Sequence, residues 1–366
     1  MANNQDNQDN QVRGIESIRI VGSGLIGTSI GLALAARGVK VEMLDLNPSA
    51  QSLAQDLVAS EISANPEVVL FAVPVNSLNQ VAEREFALNP RSKFIDIASV
   101  KTKPQLEVSK ISGAGPRFLA THPMAGREVG GASSARADLF EGRSWIYCPT
   151  YSDGTAVDSD VLETGLWLIE SLGATAVALS ANEHDAAVAL VSHLPQIVSS
   201  LLASQLQKAE TDQLELSGAG LRDTTRIAAS DPGLWQEIIT SNAKEILPLL
   251  INLQNDLESL ISSIEDPEKV ASFIAAGNSG RARIPGKHGG KARDYTLLPV
   301  VIEDKAGQLA ALFEECAKAK VNVEDLTIEH SPGQFTGLIT LALSPSDADV
   351  LQKHLEETGW NVHAPR

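Results

Sequence analysis

The stretch VGSGLIGTSIGLALAARG, residues 21–38, sets Gly22, Gly24 and Gly27 between an apolar strand-like run and a helix-like run. Glycines at this spacing mean that something must approach the backbone where side chains are absent. The pattern G-x-G-x-x-G is weak evidence by itself. Here it follows a strand, opens a helix and leads to a second strand ending at Asp45, eighteen positions after Gly27, which is the context of a dinucleotide-binding turn. Gly22 permits the tight turn, Gly24 lets the backbone approach a pyrophosphate, and Gly27 lets helix and strand pack closely. Leu25 and Ile26 open the helix, whose N–H groups and partial positive charge suit an anion. Asp45 can accept hydrogen bonds from the adenosine ribose hydroxyls and would repel a 2′-phosphate, so the expected cofactor is NAD rather than NADP. A tight βα turn without a ligand is the bland alternative.

Outward from this turn, SIRIVGSG and KVEMLDL read as strands, as do EVVLFAV (67–73), KFIDIAS (93–99), RFLATH and SWIYCP. Strands alternating with helices predict a mostly parallel sheet covered on both faces, a Rossmann-type α/β domain over residues 15–179. VPVNSL (73–78) puts Val73 and Pro74 where they close over the cofactor or simply form a strand-to-helix turn. From 180 to 276 the apolar spacing is helical, and Pro195 and Pro248 are expected to kink it. An all-helical domain with long amphipathic faces predicts packing against a second copy, hence a homodimer. Residues 277–293, GNSGRARIPGKHGGKAR, are Gly-rich, basic and without periodicity, and read as a linker. The tail 294–366 runs strand, helix, strand, strand, helix, strand, the order of a ferredoxin-like α+β sandwich.

The 366-residue chain is long enough for several domains. Its net charge of −17 argues against nucleic acid as a partner and gives each cation in a candidate site extra meaning for an anionic substrate. The first residues, 1–14, read as a polar disordered tail without a signal-peptide core. No apolar run is expected to span a membrane. Cys148 and Cys316 are the only cysteines; they show no metal-ligand spacing, so no metal site is expected, and a reducing cytoplasm is the simplest setting.

Four further stretches carry chemistry: DIASVK (96–101), THPMAGRE (121–128), SHLPQ (192–196) and RDTTRIAASDPGLW (222–235). With the glycine turn, in this order and spacing, they resemble the prephenate dehydrogenase family, which includes arogenate dehydrogenases, over about residues 17–275. The tail from about 294 resembles an ACT domain, a small-ligand regulatory module.

His122 follows a predicted strand and precedes Pro123, at the end of the sheet where ligands bind. A histidine suits removal of a hydroxyl proton at neutral pH; a structural histidine is the alternative. Ser99, ending the DIAS strand, can hydrogen-bond His122 and a substrate hydroxyl, or merely cap a turn. His193 lies in an apolar helical run, where a histidine is ordinarily core; the resemblance implies contact with the substrate side chain. Arg226 can hold a carboxylate bidentately or form a surface ion pair, and the resemblance implies the former. Trp235 lines the same pocket or fills core. Glu128 resembles the family's gating acid, Arg127 is a candidate specificity element, and the SGAG turn (217–220) is one that a neighbouring chain can contribute.

The resemblance thus implies NAD-dependent oxidative decarboxylation of prephenate to 4-hydroxyphenylpyruvate, or of arogenate to tyrosine. The residues above do not separate these two. A non-catalytic amino-acid sensor would be expected to show damage to the glycine turn or to the His–Ser–Arg set, and neither is damaged. In the tail, the ACT resemblance implies tyrosine as effector near Asp304, Gly307 and Asn322, with a pure dimerisation module as the alternative.

Overall fold

The run Ser17–Val21 forms β1, and its backbone turns sharply at Gly22, whose φ of +112° is a conformation that L side chains rarely adopt. A Cβ on Gly22 would lie 2.2 Å from the Ala72 carbonyl oxygen. The structure, a computed structural model, describes residues 14–126, 129–284, 295–330 and 335–365. The expected tail therefore falls outside the described residues except for Gly14. So do Arg127, Glu128 and the 285–293 part of the expected linker.

After the turn come α1 (Leu25–Ala35), β2 (Lys40–Leu44), α2 (Pro48–Val58), β3 (Val68–Phe71), α3 (Val75–Leu88), β4 (Lys93–Asp96), α4 (Thr102–Ser109), β5 (Phe118–Pro123), β6 (Ser144–Cys148), α5 (Ser159–Ser171) and β7 (Thr175–Ala178). They build one seven-stranded sheet of order β2-β1-β3-β4-β5-β6-β7. Strands β1 to β5 are mutually parallel, and β6 is antiparallel to β5. All four residues of β3, VVLF, are buried, as expected of a parallel strand covered on both faces. Phe94 is fully buried between Phe71 and Phe86; truncating such a side chain to Ala costs about 3–5 kcal/mol. The order reverses between β1 and β3, each leaving the centre in opposite directions. A crevice outside the strand C-termini at that point is where doubly wound sheets bind ligands. Strand β7, TAVA, had no counterpart among the expected strands: it is four residues long and two are alanine, too weak a β signal to stand out.

Helices follow: α6 (Ala181–Val188), a π turn (Ala189–His193), α7 (Leu194–Gln205), α8 (Thr211–Glu215), α9 (Ala219–Thr225), α10 (Pro232–Ser241), α11 (Ala243–Ser262) and α12 (Pro267–Ala282). Neither proline ends its helix. Pro195 lies in the first turn of α7, directly after the π turn, whose wider spacing absorbs the clash and missing donor that a proline brings to a helix interior. Pro248 lies inside α11. Helix α12 continues to Ala282, so the linker expected from Gly277 starts later than its glycines suggested. The helical stretch Ala181–Lys208 is long and apolar enough, by length and composition, to cross a membrane, contrary to the expectation that no run would be. Yet it buries His184, Asp185, His193 and Gln196, polar groups a soluble packed helix partners and lipid does not.

The chain divides into two compact units with the boundary at Asp256/Leu257, inside α11. The second unit contains β8 (Thr296–Glu303), α13 (Gln308–Lys318), β9 (Asp325–His330), β10 (Thr336–Leu343), α14 (Pro345–Glu357) and β11 (Asn361–Val362). Its sheet has order β11-β8-β10-β9, with antiparallel neighbours throughout. This is the ferredoxin-like arrangement expected of the tail. Leu298, Val300, Leu312, Ile339, Leu341 and Leu351 form its core with other apolar side chains. Asp304 and Gly307 sit on the loop from β8 to α13, and Asn322 on the loop from α13 to β9; all three are exposed.

Candidate active site

A cavity of ≈ 440 Å³ opens at the C-terminal ends of the parallel strands. Gly24, Leu25, Ile26 and Gly27 line it after β1, Val73 and Pro74 after β3, and Ser99 after β4. Trp235 and Glu237 of α10 line it from the helical side. Glu237 also accepts a hydrogen bond from the Asn76 backbone N–H at 2.6 Å. Its carboxylate thereby satisfies a donor in the first turn of α3, where negative charge is favoured. That contact ties the helical wall of the cavity to the strand-end wall.

The glycine turn fits a dinucleotide. Gly24 is the N-cap of α1, and no side chain caps that helix, so its first N–H groups are left for a ligand. A Cβ on Gly24 would meet nothing within 4 Å, whereas one on Gly27 would lie 2.2 Å from the Gly22 carbonyl oxygen. The protein is open at Gly24 and closed at Gly27, as a pyrophosphate cradle with a tightly packed helix requires. Asp45 closes the other end of the motif. Its Oδ2 accepts from the Ser23 N–H at 2.7 Å and its Oδ1 from the Asn47 N–H at 2.8 Å, which fixes the carboxylate beside the glycine turn.

His122 lies at the end of β5, opposite Ile146 of β6, and is half-buried. Its Nδ1 is 2.9 Å from His184 Nε2. His184 Nδ1 is in turn 2.8 Å from Asp185 Oδ1. Asp185 also accepts from the Lys101 N–H (2.7 Å, Oδ1) and the Thr102 N–H (2.9 Å, Oδ2). Both carboxylate oxygens are engaged by donors, and His184, Thr102 and Lys101 hold the Asp185 carboxyl below its usual value against the opposing effect of burial. Burial pushes His122 well below the usual histidine value, and His184, Lys101 and His193 push it the same way. His122 is therefore unprotonated at neutral pH.

Beneath His122 lies a buried ion pair. Lys101 Nζ donates to both oxygens of Asp96, at 2.9 and 2.7 Å, and to the Thr121 carbonyl oxygen. Neither side chain is more than 1% exposed. Breaking such a pair costs about 3–5 kcal/mol because one charge is left buried alone. The pair locks β4, β5 and the start of α4 together around the residue preceding His122.

Ser99 lines the cavity, but among the described residues the partner of His122 Nδ1 is His184, not Ser99. Ser99 and His122 share no hydrogen bond; His122 Nδ1 instead meets a residue of α6, a helix that the sequence reading took for packing. His193 is buried at 2% exposure; its Nδ1 is 3.1 Å from Asn242 Nδ2, and its ring meets Trp235 edge-on with centroids 6.1 Å apart. It contacts the cavity through Trp235 rather than lining it. Arg226 is exposed at the start of a short 3-10 turn, Arg226–Ala229, and is not part of the lining, to which the same segment contributes Ser230 and Asp231. His184, Asp185 and Asn242 were missed by sequence reading. A usable signal existed: His184 and Asp185 precede His193 by nine and eight positions in an otherwise apolar stretch.

Burial pushes His193 down from 6.5 to about 4. Below pH 6.5 the unfolded chain binds a proton at this residue that the folded chain refuses until about pH 4. Its contribution is fully present above pH 6.5 and is lost as pH falls through that window. The denaturation midpoint should drop between these values, and His193→Asn should flatten the slope by about one proton. Parallel slopes for parent and variant would remove His193 from the acid response.

Comparison with known proteins bears on the same regions. The family model "Prephenate dehydrogenase, nucleotide-binding domain" matches residues 30–174, and "Prephenate dehydrogenase, dimerization domain" matches residues 180–275. The chain is 30% identical to the "Probable prephenate dehydrogenase NovF" of Streptomyces niveus over 94% of its own length and 99% of that protein's. It resembles the crystal structure of prephenate dehydrogenase from A. aeolicus in complex with hydroxyphenyl propionate and NAD+ at 27% identity and TM-score 0.67, covering 75% of this chain and all of that one (100%). The crystal structure of Synechocystis arogenate dehydrogenase matches at 25% identity and TM-score 0.61, covering 73% of this chain and 99% of that one.

Proposed function

This chain belongs to the prephenate dehydrogenase family and is an NAD-binding oxidoreductase, and from that premise we propose that it oxidatively decarboxylates prephenate to 4-hydroxyphenylpyruvate. The observation that carries the reading is His122: a half-buried, unprotonated imidazole at a strand end, outside the cavity lining but on the segment that leads to Ala125 and Gly126 within it, with Nδ1 engaged by His184. NAD, when bound, supplies the hydride acceptor. His122 takes the proton of the ring hydroxyl. The ring carboxylate leaves as CO2, and formation of the aromatic ring drives the reaction. Ser99 hydrogen-bonds the same hydroxyl, and Trp235, steadied by His193, packs against the substrate and excludes water. Gly22, Gly24, Leu25, Ile26, Gly27, Asp45, Val73 and Pro74 hold the dinucleotide. Arg226 and Glu128 act on the substrate carboxylates and on access to the site, a role that the exposure of Arg226 makes dependent on movement or on a second copy.

A homodimer through the helical region is supported by the match to a dimerization domain and by the exposed Val198, Leu201, Leu202, Leu247 and Ile251. Two free, buried thiols, Cys148 and Cys316, accord with a cytoplasmic setting. The likeness to an arogenate dehydrogenase supports arogenate as the second reading. NADH formation with prephenate and with arogenate, each with NAD and NADP, decides among these. Turnover of prephenate with NAD is the expected result. Turnover of arogenate alone would move the side-chain assignment, and none with any pairing would overturn the reading.

The C-terminal unit is proposed to be an ACT-type regulatory domain that binds tyrosine near Asp304, Gly307 and Asn322. Its βαββαβ arrangement supports this. Tyrosine should inhibit the full chain, and Asp304→Ala with Asn322→Ala should relieve the inhibition without changing kcat in its absence. Equal activity of the parent with and without tyrosine would leave the unit a dimerisation module.

A further inference from the structure

The hydrogen bonds behind His122 can be assigned a direction, atom by atom. Asp185 accepts two backbone N–H groups, from Lys101 and Thr102, one on each carboxylate oxygen. A carboxylate so engaged is ionised and only accepts. The hydrogen between it and His184 therefore sits on His184 Nδ1. His184 is fully buried, and burial keeps it below the usual histidine value, so it is neutral and its Nε2 only accepts. The hydrogen in the 2.9 Å contact to His122 must then sit on His122 Nδ1. Among the described residues no partner engages His122 Nε2.

We propose that His184 and Asp185 are positioning residues that hold His122 as the Nδ1–H tautomer, which makes Nε2 the nitrogen that takes the substrate's hydroxyl proton. The inference rests on the reading of His122 as the base. When His122 gains its proton, the positive ring donates to a neutral imidazole that itself leans on a carboxylate. Every link in the row thus becomes stronger as charge develops. The row is anchored twice at its Asp185 end. Asp185 is fixed at the start of α4, next to the buried Lys101–Asp96 pair. The Asp185 carbonyl oxygen accepts from Asn242 Nδ2, which also contacts His193. Among the described residues, the charged and titratable groups around His122 are Lys101, Asp96, His184, Asp185 and His193. Lys101 opposes protonation and Asp185 favours it. An imidazole held only by packing would flip between tautomers and present Nε2–H, which cannot accept, part of the time.

The test is the imidazole ¹⁵N spectrum of the full-length protein, with His122 assigned by its loss in His122→Asn. The parent should show a protonated Nδ1 and a bare Nε2 at His122. His184→Leu should mix or reverse the tautomers and lower kcat by about 10–100-fold with little change in KM. His184→Gln, whose side-chain oxygen can accept from His122 and whose amide can donate to Asp185, should restore the tautomer and most of kcat. A parent spectrum with hydrogen on Nε2 overturns the proposal whether or not any variant folds. So does a His184→Leu variant that keeps both the tautomer and kcat. The spectrum needs no substrate, so absence of turnover in the parent would count against the reaction and not against this assignment.

Discussion

Replacement of His122 by Asn should lower kcat about 1,000-fold while NAD still binds with the parent's affinity. A positioned general base contributes about 100- to 10,000-fold. Nothing else described around the cavity combines an unprotonated nitrogen with a strand-end position. The proposed dinucleotide contacts are the turn after β1, the loop after β3 and Asp45, and among the described residues no hydrogen bond joins any of them to His122. Turnover and binding should therefore separate. In the parent, the rate should fall as pH drops through the His122 pKa, because only the bare imidazole accepts a proton. Since burial, His184, Lys101 and His193 all hold that pKa down, with Asp185 opposing, the fall should lie below pH 6.5. Steady-state kinetics and a fluorescence titration with NAD check both statements. A variant that keeps kcat within about threefold of the parent, or an acid limb above pH 6.5, would remove His122 from the proton transfer.

Two alanine substitutions three positions apart, Gly27→Ala and Gly24→Ala, should fail in different ways. A Cβ at position 27 would lie 2.2 Å from the Gly22 carbonyl oxygen and 3.0 Å from the Ala72 Cβ. Backbone is the obstacle, so β1, the turn and α1 must move apart. The cost should be about 3 kcal/mol, with NAD affinity lost alongside. A Cβ at position 24 meets no protein atom within 4 Å. Stability should stay within about 0.5 kcal/mol of the parent, while the methyl occupies space that a pyrophosphate needs and weakens NAD binding by about tenfold or more. Denaturant midpoints and NAD titrations on both variants read the two effects. Parent-like NAD binding by a folded Gly24→Ala would mean that the cofactor does not approach the backbone there.

Sequence spacing located the glycine turn because its constraints are local. Gly22, Gly24 and Gly27 answer to a turn angle, an open approach and a packed crossing within six residues. Strand runs such as EVVLFAV and the βαββαβ order of the tail were legible for a similar reason: burial on both faces, or helical periodicity, writes itself into consecutive residues. The late start of the linker was not legible, since Gly277 and Gly280 lower helix propensity by only about 1 kcal/mol each and α12 nevertheless runs through them.

The amino-acid order alone determined the Rossmann-type turn, the change to helices near 180 and the identity of His122 as a candidate base. Only the tertiary structure decided what holds that base. His122 and His184 are 62 residues apart in the chain, and Asp185 meets the amides of Lys101 and Thr102 across 84 and 83 residues. Contacts of that separation leave no periodic trace. They exist because β5, the start of α4 and the buried face of α6 converge, and because buried donors and carboxylates must find partners where they meet.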